Sequence, residues 1–97
     1  MQFLLVAFDG TDEGALERRM NARPSHFENV AISKTRGEFR VGGAILDDNG
    51  KMIGSMIVYE FPDREALDRY LQTEPYIVSG TWQKIDIRPF NLAKIEP

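Results

Sequence analysis

The run Phe3-Leu4-Leu5-Val6-Ala7-Phe8 is apolar without a break and stops at Asp9-Gly10-Thr11-Asp12. Such a run predicts a strand buried on both faces and closed by a turn. The charged stretch 13–22 predicts a helical turn or two. Pro24 then suits the first position of a longer helix, for which Phe27, Val30 and Ala31 supply a buried stripe. Gly37 can end that helix in the left-handed conformation. Residues 39–46 predict a second strand, Asp48-Asn49-Gly50-Lys51 a tight hairpin, and residues 52–61 a third strand. Asp63 can cap a second helix with an inner stripe of Ala66, Leu67, Tyr70 and Leu71, and with Glu65 and Arg69 spaced to pair outside it. Pro75 ends that region. Residues 83–90 alternate, with Ile85 and Ile87 on one side and Lys84, Asp86 and Arg88 on the other, which predicts a fourth strand at an edge or an end because of Pro89.

The order β-α-β-β-α-β with right-handed crossovers predicts an α+β, ferredoxin-like, four-stranded antiparallel sheet with helices on one face. Two helices cover only one side of such a sheet. The first and third strands nevertheless carry apolar side chains on both sides, Phe3, Leu5 and Ala7 against Leu4, Val6 and Phe8, then Ile53, Ile57 and Tyr59 against Met52, Met56 and Val58. The expectation is a homodimer that buries the uncovered sheet face against a second copy of itself.

Ninety-seven residues, with no linker or repeat, point to one domain over 1–97. The absence of Cys excludes a disulfide framework and thiolate chemistry. No basic segment precedes the first apolar run, and that run is too short to span a bilayer, so the chain reads as cytoplasmic, with no membrane partner. A formal charge of −3 and no basic stripe argue against nucleic acid. A lone His with scattered carboxylates makes a poor transition-metal site, so no metal and no other cofactor is expected.

His26, in Arg23-Pro24-Ser25-His26, is the only histidine. Imidazole changes charge at about pH 6.5 when unperturbed, and at the helix start predicted here the dipole would keep it neutral and ready to take a proton. In the expected topology the end of the first strand (Asp9), the start of the first helix (Arg23, His26), the hairpin tip (Asp47, Asp48) and the end of the second helix (Glu74, Pro75, Tyr76) gather at one end of the sheet. Plainer roles compete: Asp9 in its turn, Asp47 and Asp48 in the hairpin, Arg23 on the surface, Tyr76 and Trp82 in packing. Glu74, expected near a helix C-terminus, opposes the dipole there and calls for a cation or a role.

These residues are also where the chain resembles a known family. The apolar first strand ending in Asp9, Arg23 and His26, Gly42-Gly43, Gly54-Ser55, Glu74-Pro75-Tyr76 with Ser79-Gly80 beyond, and Ile87-Arg88-Pro89-Phe90 follow the order and spacing of the YciI (YCII-related) family over nearly the whole chain. The resemblance implies the dimeric α/β-barrel superfamily and a site centred on a His and an Asp. His26 takes the place of the His. Glu74 replaces the usual Asp of an Asp-Pro-Tyr segment, with an arm one methylene longer, and Asp9 is a second candidate partner. One branch of the family contains a dehydrochlorinase of chlorinated hydroxyhydroquinones. The expectation is therefore a cofactor-free lyase or isomerase acting on a small molecule. His26 would be general base or acid, Glu74 or Asp9 would orient it, and Arg23, Tyr76 and Ser25 would contact substrate. The alternative is a non-catalytic small-ligand-binding or accessory domain. A haem-binding or antibiotic-biosynthesis monooxygenase of similar fold is a more distant one.

Overall fold

A computed structural model describes residues 1–97. In chain order the elements are β1 (Gln2–Asp9), α1 (Ala15–Thr35), β2 (Phe39–Leu46), β3 (Met52–Glu60), α2 (Arg64–Leu71), a short α3 (Pro75–Val78) and β4 (Trp82–Phe90). The sheet order is β2-β3-β1-β4, and every neighbouring pair is antiparallel. β1 and β2 therefore run the same way with β3 between them, the split βαβ arrangement of an α+β, ferredoxin-like fold. No helix is long and apolar enough to cross a membrane.

The core lies between the sheet and the helices. Along β1, Phe3, Leu5, Ala7 and Asp9 are buried, whereas Leu4 and Val6 are half-buried and Phe8 is exposed. That is the two-residue period of a sheet with helices on one side only. Ile57 and Tyr59 from β3, Leu67 and Leu71 from α2, Tyr76 from α3 and Trp82 from β4 complete the buried cluster. On the helix-free face Val58 is sealed between its cross-strand neighbours Leu4 and Val41, but Val41 and Phe8 remain about two-fifths exposed.

Two helical expectations need correction. Residues 13–22 do not form a separate turn, and Pro24 does not open a helix. α1 runs continuously from Ala15 to Thr35 with Pro24 inside it. Proline removes one helical hydrogen bond, the one its nitrogen would give to the carbonyl of Met20. Pro24 and Met20 are both exposed, so water can serve the freed carbonyl. Replacing Pro24 with Ala restores that bond and is expected to stabilise the protein, by up to about 3 kcal/mol in urea unfolding. An unchanged or lower midpoint would mean that the ring's rigidity outweighs the missing bond.

The second correction concerns the face that α1 buries. Phe27 and Ala31 are exposed and Val30 is half-buried. The buried residues are Ala15, Arg19, His26 and Ser33, at spacings of four and seven that return to one side of a helix. Burying arginine, histidine and serine costs free energy unless each finds partners. This helix therefore packs by satisfying polar groups as well as by apolar area. Gly37 follows the helix with φ of 75°, as expected. On α2, Asp63 caps Ala66 as expected, and Arg64 pairs with Asp68 at 2.8 Å on an exposed face where Glu65 and Arg69 were the anticipated partners.

Candidate active site

Arg19, Arg23, His26, Phe27 and Val30 fall on adjacent turns of α1 and face β2 and β3. Together with Phe39, Gly42, Gly43, Ala44, Met52, Ser55, Ile57 and Tyr76 they enclose a cavity of about 300 Å³. Gly42 is needed where the strand meets it. A Cβ there would stand 2.7 Å from the Phe39 ring and 2.9 Å from the Met56 carbonyl. Met52, expected on the helix-free face, lines this cavity beside a slip in the β2–β3 register between Met52 and Gly54.

His26 Nδ1 lies 2.5 Å from Glu74 Oε1. The Tyr76 amide donates to the same oxygen at 3.1 Å. Glu74 is not the last residue of α2, which ends at Leu71. It is the N-cap of α3, with Pro75 at the first helical position. The dipole objection to a carboxylate there is thus reversed, because an N-cap oxygen satisfies free helical amides. Glu74 is completely buried and His26 is 7% exposed. In the neutral ring, a proton on Nδ1 donated to Glu74 Oε1 leaves the lone pair on Nε2.

The only atoms sealed from the surface without a partner are Arg19 Nε, Glu38 Oε1, the Tyr59 hydroxyl and Glu74 Oε2. His26 Nε2 and the Tyr76 hydroxyl bond to no protein group and are not among them, so neither is sealed from the surface, and both residues line the cavity. The Tyr76 ring stacks on His26 with centroids 4.0 Å apart and planes 20° apart. Trp82 stands edge-on to His26 at 6.2 Å. Burial raises the Tyr76 hydroxyl above the ordinary tyrosine range, with the nearby Arg19 and Arg23 acting against that rise and Glu74 and Asp9 adding to it. Tyr59 is raised well above that range by burial first and then by the charge of Glu74.

Asp9 does not meet His26. Its two oxygens take Arg19 Nη1 at 3.0 and 3.1 Å, inside the protein. Arg19 Nη2 donates to Ser55 Oγ at 2.9 Å, and Trp82 Nε1 donates to the same hydroxyl at 3.1 Å. The guanidinium lies 4.7 Å from the Tyr76 ring centre. Arg19, Ser55 and the Trp82 indole are members of the site that sequence reasoning missed. The signal for Arg19 was its distance of four from Arg23 and seven from His26, visible only once α1 is taken as continuous through Pro24.

Arg23 lines the cavity, 4.6 Å from the Phe27 ring, and forms no ion pair. Ser25 does not join it. One residue before His26 on a helix, it is rotated away, and it is exposed beside Ala22, Thr73, Pro75, Val78 and Ser79 on the other side of α1. Asp47 serves the hairpin, accepting the Asn49 and Lys51 amides at 2.9 Å each. His26 itself is in the interior of α1, so a helix-end field does not act on it. A larger recess of about 670 Å³ opens beyond Asp9, walled by Phe8, Leu16, Ile53 and Lys84 among others. It contains neither His26 nor Tyr76, and the smaller cavity is the one where unpartnered polar groups converge.

Residues 1–91 match the sequence model of the YCII-related domain. The chain belongs to that family. Among YCII-related relatives, Protein YciI of Escherichia coli and of Shigella flexneri are each 26% identical over 96 residues, spanning 93% of this chain and 96% of theirs. Among solved structures, 5-chloro-2-hydroxyhydroquinone dehydrochlorinase from Burkholderia phenoliruptrix, in complex with 2,5-dihydroxybenzoquinone, superposes with a TM-score of 0.81 at 20% identity over 96% of both chains. A dimeric ferredoxin-like protein of unknown function from Jannaschia gives 0.55 at 15% identity, over 94% of this chain and 98% of its own. SnoaB, a cofactor-independent oxygenase from Streptomyces nogalater, gives 0.55 at 13% identity, over 99% of this chain and 95% of its own. At these identities the likeness is one of fold.

Proposed function

We propose that this YCII-related protein is a cofactor-free lyase or isomerase in which His26 Nε2 moves a proton on a small cyclic or aromatic substrate. One observation carries the proposal. The imidazole is held at one nitrogen by a buried carboxylate, and its other nitrogen has no protein partner in a residue that lines a partly open cavity. A ring consumed by structural bonds on both nitrogens could not do this. Glu74 orients the ring and stabilises the cation formed when Nε2 takes a proton. Arg19 is balanced by Asp9, and Arg23 has no counter-charge, so the cavity favours a substrate carrying an anionic oxygen. The cavity suits a single small ring, and the dehydrochlorinase of like fold holds one such ring, 2,5-dihydroxybenzoquinone.

The proposal includes a cytoplasmic homodimer built from single-domain chains. Leu4, Val6, Val41 and Met56 leave an apolar surface on the helix-free side, and association of that face with itself removes it from water.

The test is a thermal-shift screen of small phenols, lactones and keto acids. A ligand binding only the folded state stabilises by RT ln(1 + [L]/Kd), about 2.7 kcal/mol at a hundredfold excess over Kd. A domain of this size then melts roughly ten degrees higher. At least one compound is expected to produce such a shift in the wild type and a much smaller one in His26→Ala. His26→Gln, which keeps a donor toward Glu74, controls for lost packing. Shifts that are identical in all three proteins would remove His26 from the site. A His26-dependent ligand that is never transformed would make the cavity a binding site alone.

A further inference from the structure

The mechanism above uses one proton-transfer group. The cavity holds a second group with a movable proton, the Tyr76 hydroxyl. It has no protein partner, it belongs to a residue that lines the same cavity as His26, and its ring lies flat on the imidazole at 4.0 Å. The same carboxylate oxygen that holds His26 Nδ1 also holds the Tyr76 backbone amide, so the two side chains are anchored to a single point. Arg19 lies against the Tyr76 ring, and Arg23 faces the cavity. Base, hydroxyl donor and positive charge thus surround one space.

We infer that Tyr76 is the electrophilic partner of His26: its hydroxyl binds the oxygen of a carbonyl whose adjacent C–H bond the imidazole breaks, and the substrates are enolisable carbonyl compounds of single-ring size. This inference rests on the proton-transfer function proposed above. His26 Nε2 takes the proton. The C–H electron pair becomes a carbon–carbon double bond, and the carbonyl π pair moves to oxygen. The resulting oxyanion accepts the Tyr76 O–H, with Arg19 and Arg23 offsetting its charge. Return of the proton from the imidazolium to a different carbon completes an isomerisation. Atoms and electrons balance with no oxidant or reductant. Burial keeps the Tyr76 phenol protonated through neutral pH, which is the state a donor needs.

Two probes test this. Cyclohex-3-en-1-one in D2O reports exchange of the ring hydrogens beside its carbonyl by proton NMR, and 4-nitrophenol reports oxyanion binding through the visible absorbance of its phenolate. The wild type is expected to accelerate exchange. Tyr76→Phe keeps the ring and the stack and loses only the unbonded hydroxyl. It is expected to lower the exchange kcat by about 10²–10³, the usual cost of one oxyanion donor, with KM little changed. It should also weaken nitrophenolate binding, with the melting temperature unchanged. Exchange abolished in His26→Gln and undiminished in Tyr76→Phe would overturn the role of Tyr76 and leave the proton-transfer function standing. Nitrophenolate binding that depends on Tyr76, in a wild type that catalyses no exchange, would overturn the enolising partnership with His26. Loss of both activities in Tyr76→Phe with an unchanged melting temperature is the result that supports it.

Discussion

Asp9→Ala is expected to destabilise the protein by about 3–5 kcal/mol, measured as the shift in a urea unfolding curve. The guanidinium of Arg19 is 3% exposed, and both bonds from its Nη1 go to the Asp9 carboxylate. Without that carboxylate a full positive charge stays inside the protein with Ser55 Oγ as its remaining partner. The Arg19 Nε already lacks a partner, so losing the carboxylate adds to an existing deficit of acceptors around the guanidinium. Asp9→Asn separates charge from shape: it preserves volume and one acceptor, and it should recover only part of the loss. Replacing both partners with apolar residues of similar size, Asp9→Leu with Arg19→Met, should be far milder than Asp9→Ala, because no charge is left stranded. A single-variant cost below about 1 kcal/mol, the scale of an exposed pair, would mean that the pair is solvated in solution.

The second large effect concerns rate. With whatever substrate the wild type turns over, His26→Ala is expected to lower kcat by about 10²–10⁴, the range of a positioned general base. Glu74→Gln should cost a comparable amount for a different reason. The amide oxygen can keep both the His26 Nδ1–H and the Tyr76 amide, but a neutral group no longer stabilises the imidazolium formed when Nε2 takes a proton. The two residues act as a unit, so the double variant should be little worse than either single one. Rates that multiply instead would show that Glu74 contributes independently of the imidazole. A His26→Ala protein that turns over substrate at the wild-type rate would end the proposed mechanism.

The residues that sequence reasoning located correctly and those it misplaced differ in what their positions depend on. Strand periods, the Asn49-Gly50 turn, the Asp63 cap and Gly37 at the end of α1 follow from local chemistry, and the structure has each of them. Proline at 24 is also a local signal, and here it misled. Its cost is local too, but a helix packed along its whole length against a sheet can bear the loss of one solvent-facing bond. That error hid Arg19, placed His26 at a helix end and turned the expected stripe to Phe27 and Ala31, which are exposed. Ser25 was carried into the site by its proximity in sequence, although a helix turns adjacent residues apart.

The carboxylates show the remaining division. Glu74 and, second to it, Asp9 were both candidates for His26, because sequence distance says nothing about which acid lies across from which base. Packing decided it. Asp9 ends β1 beside Arg19, whereas Glu74 caps α3 beneath His26. By itself the sequence determined the number and order of strands, their two-sided apolar character and hence the ferredoxin-like sheet, since these depend on hydrophobic period and turn chemistry along the chain. The tertiary structure alone decided which buried charges compensate one another and which nitrogen and hydroxyl remain unpaired in the cavity. Those outcomes depend on contacts between residues up to 48 positions apart, His26 with Glu74 being one, and such contacts exist only once the helices have closed over the sheet.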